Sequence, residues 1–161
     1  DYGKPIKLKL STTSRPQSIL AAQALQQMWK KAGIEIEILP MESTQLVRAS
    51  NNRDYQIMLY RWAGRADPDM NVYQFFHSKS LTNRVNYKNP EMDKLLEEQR
   101  TTISQDERMK TYRQINNLLA KDLPYLLLNY FDNYSLVSKK VHGIPLVPDG
   151  LLRLQTVWKD K

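Results

Sequence analysis

The chain has no cysteine, and among its 161 residues only five are glycine and two are histidine. Without cysteine there can be no disulfide, thiol nucleophile or thiolate metal site, although cysteine-free proteins occur on both sides of a membrane, so the compartment stays open. So few glycines leave little material for a phosphate-cradling loop, and neither a nucleophile elbow nor a serine-triad signature is present. The histidines, His77 and His142, stand apart without H-E-x-x-H or Cys/His spacing, and both are expected at the surface rather than on a metal. No apolar run approaches the ~18 residues of a membrane span. The chain opens on Asp1, with no basic start and apolar stretch behind it, so any export signal is expected on polypeptide outside this sequence.

What is present reads as one globular domain, 41% hydrophobic and 25% charged, long enough to bury about two-thirds of its unfolded surface. A net charge of +7 raises the question of nucleic acid. The basic residues are scattered among acids, with Lys30-Lys31 and Lys139-Lys140 the tight doublets. No basic stripe with interleaved aromatics exists, so a solvated surface is expected and no nucleic-acid partner.

Ile6 to Leu10 alternates as a half-buried strand does, and Ile34 to Ile38 alternates again. Between them a helix is expected, with Ser14 or Arg15 at its boundary, Pro16 in its first turn and Gln17 closing a capping box with Ser14. Its buried stripe is Ala21, Leu25, Met28 and Ala32, and Gly33 ends it. This is a βαβ unit with parallel strands. If the strands are neighbours, Lys7 and Lys9 lie against Glu35 and Glu37, or else these polar faces simply meet water.

Further along, a short helix is expected from Ser43 to Asn52 with Leu46 and Val47 as contacts, then a turn at Asn51 to Asp54 and a strand ending at Trp62. Val72, Phe75 and Phe76 mark a helix after Pro68, followed by a polar loop from Ser78 to Lys88. Asn89-Pro90 starts a helix burying Met92, Leu95 and Leu96. Ser104 to Glu107 is a capping box for the next helix, striped with Met109, Tyr112, Ile115 and Leu119. Tyr125 to Leu128 reads as a strand buried on both faces, Tyr134 to Val137 as another, Asp149-Gly150 as a turn, and Leu151 to Trp158 as extended.

The most informative segment runs from Tyr55 to Asp69, an apolar strand breaking into a short loop at Ala63–Ala66. Asp67 before Pro68 signals a helix start, because its carboxylate can accept orphan N–H groups and proline needs no donor in the first turn. Open α/β sheets bind ligands at such strand-to-helix crevices. Trp62 there either lays its indole on a ligand or packs at the strand end. Arg65 either grips a carboxylate with bidentate hydrogen bonds or pairs internally with Asp67 or Asp69. Asp67 and Asp69 suit helix capping better than general acid/base work, and no residue set supports catalysis. Arg15 and Ser18 are further lining candidates, since parallel strands present their carboxyl ends together.

Four stretches, Trp62-Ala63-Gly64-Arg65-Ala66-Asp67-Pro68-Asp69, Asn86 to Leu96, Leu119 to Tyr125 and Val147 to Gln155, together resemble the extracytoplasmic solute-binding proteins of peptide-type ABC importers, the dipeptide- and oligopeptide-binding family. Their order and spacing match across nearly the whole chain. The resemblance implies an α/β fold, a type II periplasmic-binding-protein-like lobe of βαβ units with a mostly parallel sheet flanked by helices, incomplete relative to the two-lobed family. Residues 1–143 would be the partial carboxyl-terminal lobe. Residues 144–161 would be the segment that crosses back to the amino-terminal lobe, mobile here or held by another copy.

The implied function is capture of a peptide or peptide-like solute between two lobes and delivery to ABC permease subunits in the membrane, without cofactor or catalysis. The implied address is periplasmic or extracytoplasmic, as a membrane-anchored lipoprotein in a Gram-positive organism. The ligand-binding residues would be Trp62, Ala63, Gly64, Arg65 and Asp67, with Ala63 and Gly64 pairing through their backbone to an extended ligand. In dipeptide- and oligopeptide-binding relatives an aspartate three residues after this tryptophan meets the peptide's ammonium group; here that position is Arg65, so a ligand presenting an anion is inferred, with Asp67 left to bind the amine or cap the helix. The alternatives are a sensory ligand-binding domain of a receptor or regulator, or a small-solute hydrolase using the Asp67 region.

Overall fold

A computed structural model describes residues 6–130, 132, 134–145, 147 and 151–160. The elements in order are β1 (Ile6–Thr13), α1 (Pro16–Lys30), β2 (Ile34–Met41), α2 (Ser43–Asn52), β3 (Ile57–Met58), α3 (Asp69–Phe76), α4 (Pro90–Thr101), α5 (Gln105–Asp122), β4 (Val141–His142) and β5 (Trp158–Lys159). They belong to two compact units, Asp1–Trp62 and Ala63–Lys161.

In the first unit, β1 is the central strand of a parallel sheet of order β2-β1-β3. The β1–β2 register pairs Lys7 with Glu35 and Lys9 with Glu37, as alternation requires when the apolar residues of both strands face one core. Lys7 Nζ and Glu35 Oε2 are 3.5 Å apart. That core is Leu10, Ala22 and Ile36, with Leu8, Leu25, Trp29, Ile34, Ile38, Ile57 and Leu59 packed on it. Each fully buried aliphatic side chain contributes roughly 1.5–3 kcal/mol relative to exposure.

The helix α1 is rotated from its expected face: the sheet-facing residues are Ala22, Leu25 and Trp29, and Met28 is exposed. The larger indole of Trp29 takes the place assigned to the methionine. The capping box also fails, since Arg15 is the N-cap and makes no side-chain cap bond. Ser14 is drawn to the sheet instead, its N–H and its hydroxyl both donating to the Met41 carbonyl at 3.0 and 3.1 Å. Gly33, three residues past the helix, has φ of 78° and its carbonyl accepts the Ile6 N–H.

The helix α2 buries Leu46 and leaves Val47 more than a third exposed. It ends at Arg53, whose left-handed backbone returns its N–H to Ala49 and Ser50. The strand β3 is shorter than the apolar run ending at Trp62 suggests. It pairs with Leu10 and Ser11, and its ladder finishes with the Leu59 N–H on the Ser11 carbonyl, so Tyr60 to Trp62 have left the sheet.

In the second unit, Met92, Leu95 and Leu96 of α4 and Ile115 and Leu118 of α5 form a core capped by Val72, Tyr73, Phe76, Tyr87, Tyr112 and Leu119. The N-caps follow sequence logic. Asn89 accepts the N–H groups of Glu91 and Met92, with Pro90 in the first turn, and Ser104 accepts from Glu107. Thr111, Ile115 and Leu118 are the buried α5 residues, whereas Met109 is half exposed.

Three expectations for this unit fail. Tyr125 to Leu128 is not a strand; Tyr125 packs edge-on against Phe75 and Phe76, while Leu126, Leu127 and Leu128 are exposed. Tyr134 to Val137 likewise forms no strand and Leu136 is fully exposed. An apolar run makes a strand only where an edge is available to pair with it, and neither segment has a ladder partner among the described residues. Leu151 to Trp158 is interrupted by a turn at Gln155 and Thr156 before β5. The strands β4 and β5 pair antiparallel. The expected Asp149-Gly150 turn lies outside the described residues.

His77 is also not at the surface. It is 4% exposed, its ring stacked on Tyr73 with centroids 4.5 Å apart. Its Nε2 lies 3.1 Å from Glu97 Oε1 and its Nδ1 accepts the Lys79 N–H. The loop after α3 folds over α4 and carries the ring inward. His142 is partly exposed and lies 3.0 Å from Asp160 Oδ2.

Candidate ligand-binding loop

The loop that the sequence singles out begins at Ala63, where the second unit begins, and runs exposed through Pro68. Its conformation is held from α3. Asn71 lies in the first turn of that helix, and its Oδ1 accepts the Arg65 N–H at 2.7 Å while its Nδ2 donates to the carbonyls of Arg65 (2.7 Å) and Asp67 (3.2 Å). Asp67 acts as the helix-start residue its place before Pro68 suggests. Its Oδ1 accepts the Asp69 N–H at 2.9 Å, satisfying a donor at the helix end.

The two aspartates also have cationic partners. Arg108 of α5 reaches Asp67 Oδ1 at 3.1 Å, and Arg100 of α4 grips Asp69 through two parallel bonds at 2.9 and 2.8 Å. Between the two arginines stands Gln99, 1% exposed, which donates to Asp69 and to the Leu96 carbonyl. Its Oε1 accepts from Arg108 Nε at 3.2 Å and from the Tyr112 hydroxyl at 2.8 Å. A buried amide with every group matched costs little and orders its neighbours.

The electrostatics follow this geometry. The Arg100 hydrogen bonds hold the Asp69 carboxyl below its ordinary range against the opposing effect of burial, with Gln99 helping. The Arg100 guanidinium in turn lies over the Tyr73 ring, whose hydroxyl donates to Glu97 at 3.0 Å. Asp69 therefore stays ionised and committed to structure, which leaves it unsuited to proton transfer.

Of the remaining predicted residues, Trp62 is 41% exposed and closes the first unit. Arg15 is the exposed N-cap of α1, and the Ser18 hydroxyl accepts from Thr13 Oγ1 at 2.8 Å. Arg15 follows the carboxyl end of β1 as Trp62 follows that of the neighbouring parallel strand β3. Gly64 has no positive φ, and a Cβ added there would meet only Asn71 Oδ1, at 4.0 Å. Sequence reasoning missed Asn71, Gln99, Arg100 and Arg108. Asn71 alone carried a local signal, as a short amide just inside a helix start; the others act across roughly thirty to forty positions.

Among the described residues, no group of three or more histidine or acidic side chains is placed to hold a metal ion. Among the same residues, no helix is long and apolar enough to cross a membrane. An open polar groove of about 440 Å³ between α4 and α5, lined by residues such as Glu98, Glu107 and Lys110, contains none of the predicted residues.

Known proteins resemble this chain over most of its length. The chain is 31% identical over 146 residues to the oligopeptide-binding protein AppA of Bacillus subtilis, covering 87% of this chain and 26% of that protein. It is 30% identical over 139 residues to the probable di/tripeptide-binding protein 5 of Pseudomonas aeruginosa, covering 84% and 26%. The chain thus spans about a quarter of the length of these relatives. The solved structure of Bacillus subtilis AppA in complex with a nonapeptide matches all of this chain and 33% of that one, with a TM-score of 0.87 and 29% identity. Residues 2–83 match the family described as bacterial extracellular solute-binding proteins, family 5, middle region, and the chain belongs to that family.

Proposed function

We propose that the chain supplies one wall of the ligand cleft in the solute-binding component of an ABC importer for peptides or peptide-like solutes, working outside the cytoplasmic membrane. The carrying observation is the loop Ala63–Asp67, exposed along its length and held at Arg65 and Asp67 by hydrogen bonds with Asn71 and Arg108. Such a loop presents backbone groups and an arginine in a fixed arrangement, which lowers the entropy lost when a ligand is ordered on it. Likeness to a relative solved with a bound nonapeptide supports a peptide as the occupant.

In this reading Ala63 and Gly64 pair with the ligand backbone, Trp62 offers its exposed face to a side chain, and Arg65 receives a carboxylate. Asp67 is a capping residue rather than the amine site, because its carboxylate already serves the α3 N-terminus and Arg108. Arg15 and Ser18 are secondary lining positions. Ligand trapped between lobes shifts the population to the closed form that the permease subunits recognise.

Replacing Arg65 with Ala in the complete protein tests this. Calorimetric titration with a nonapeptide should show affinity falling by about tenfold or more, as loss of a charge-assisted pair requires. Unchanged affinity would make Arg65 a structural residue.

A further inference from the structure

We propose that Asn71 determines how far a bound peptide can pair along the loop, restricting strand-type contact to Ala63 and Gly64 and presenting Arg65 solely through its side chain. This rests on the peptide reading above and names the residue that sets its geometry.

Each backbone residue offers one donor and one acceptor. The Asn71 carboxamide takes both of Arg65's, accepting its N–H and donating to its carbonyl, each at 2.7 Å. These are the two bonds that an opposing residue makes in an antiparallel ladder. The side chain therefore occupies the position of a strand neighbour. With its second N–H on the Asp67 carbonyl, the amide spends both of its donors. A peptide adding as a strand cannot use the Arg65 N–H without displacing Asn71, so backbone pairing stops at Gly64.

Gly64 supplies an independent observation. Its backbone is not left-handed, and an added Cβ would touch nothing closer than Asn71 Oδ1 at 4.0 Å, so no described neighbour requires a glycine there. Gly64 is exposed and the space a Cβ would fill is open, so a ligand chain can approach the Gly64 backbone closely there. Asn71 and Gly64 thus divide the loop: close approach at Gly64, closure to pairing at Arg65.

The experiment uses the complete protein with two probes, a nonapeptide bearing a free carboxyl terminus and the same peptide as its C-terminal amide. Amide hydrogen exchange is followed in the loop. In the wild type, the Arg65 amide should exchange slowly before peptide is added and be no slower afterwards, and the free acid should bind more tightly than the amide. Asn71→Ala should speed Arg65 exchange and erase the preference between the two probes, as Arg65→Ala does. A residue that merely stabilised the unit would weaken both probes equally and keep the preference. Gly64→Ala should leave the melting temperature unchanged or raised, while weakening both probes by about tenfold.

Protection of the Arg65 amide appearing only with peptide, or a preference that survives Asn71→Ala, would overturn the inference while the peptide reading stands. A wild type that binds neither probe would overturn the peptide reading and this inference with it.

Discussion

Asp69, at the start of α3, and Arg100, in the last turn of α4, are joined by two parallel hydrogen bonds, Nε to Oδ1 at 2.9 Å and Nη2 to Oδ2 at 2.8 Å. The carboxylate sits at the positive end of one helix and the guanidinium at the negative end of another, so each charge favours its helix as well as its partner. The pair lies directly behind the exposed loop and ties its far end to the core of the second unit.

This pair predicts an acid-side stability profile. Because the Asp69 carboxyl is held below its ordinary 3.8 by Arg100, the folded state binds fewer protons there than the unfolded state. Its contribution is complete above that value and is lost as pH falls through the lowered one. Asp69→Asn should cost about 1–2 kcal/mol at neutral pH, discounted for the partial exposure of Arg100. It should also flatten the decline in melting temperature below about pH 4; an identical acid slope in the variant would show that other carboxylates set it.

Tyr87 predicts the alkaline counterpart. Burial, reinforced by donation from its hydroxyl to Asp122 at 2.6 Å, pushes its phenol up to about 12. An unfolded tyrosine ionises near 10, so this contribution is complete below that value and is lost as pH rises through the folded one. Spectrophotometric titration should show one phenol ionising later in the wild type than in Tyr87→Phe, and the variant should lose less stability between pH 10 and 12.

Asn89 links the start of α4 to the end of α5. Its Oδ1 caps α4 through the Glu91 and Met92 N–H groups at 3.0 and 3.4 Å, and its Nδ2 donates to Asp122 at 2.7 Å. Asn89→Ala should cost about 1–2 kcal/mol, and Asn89→Asp should keep the cap while losing the bond to Asp122. Urea midpoints should fall with unchanged slope if the loss is one of stability alone.

The register of β1 against β2 is open to a charge-exchange test. Lys7 and Glu35 are paired at 3.5 Å and well exposed, so the interaction is worth at most about 1 kcal/mol. Lys7→Glu or Glu35→Lys alone should destabilise slightly, and the two together should restore the wild-type midpoint. Failure of the double variant to recover would mean that the strand faces meet water independently.

Much of the fold was legible because its signals are local. Alternation in Ile6–Leu10 and Ile34–Ile38 anticipated a parallel pair in the observed register, and Asn89-Pro90 marked a helix start that forms as read. Ser14 shows the limit of such reasoning. Its sequence spacing suits a capping box, but the Met41 carbonyl competes for the same hydroxyl, and Met41 adjoins Ser14 only once β1 and β2 have paired. Leu126 to Leu128 shows it again: strong apolar character states that burial is favourable, without stating which surface provides it. His77 shows it in reverse, a polar ring in a polar loop carried inward by the fold-back over α4.

For the loop itself, the sequence by itself determined the helix start at Asp67-Pro68, the run of exposed residues before it and the membership of a solute-binding family. These depend on backbone conformation and side-chain character within a few positions. Only the tertiary structure decided that Asp67 and Asp69 belong to Arg108 and Arg100, and that Asn71 closes the Arg65 backbone. The aspartate–arginine pairs join groups forty-one and thirty-one positions apart, and hydrogen bonding demands their atoms within about 3 Å. No local periodicity encodes such a distance; it exists only after α3, α4 and α5 have buried their apolar faces against one another.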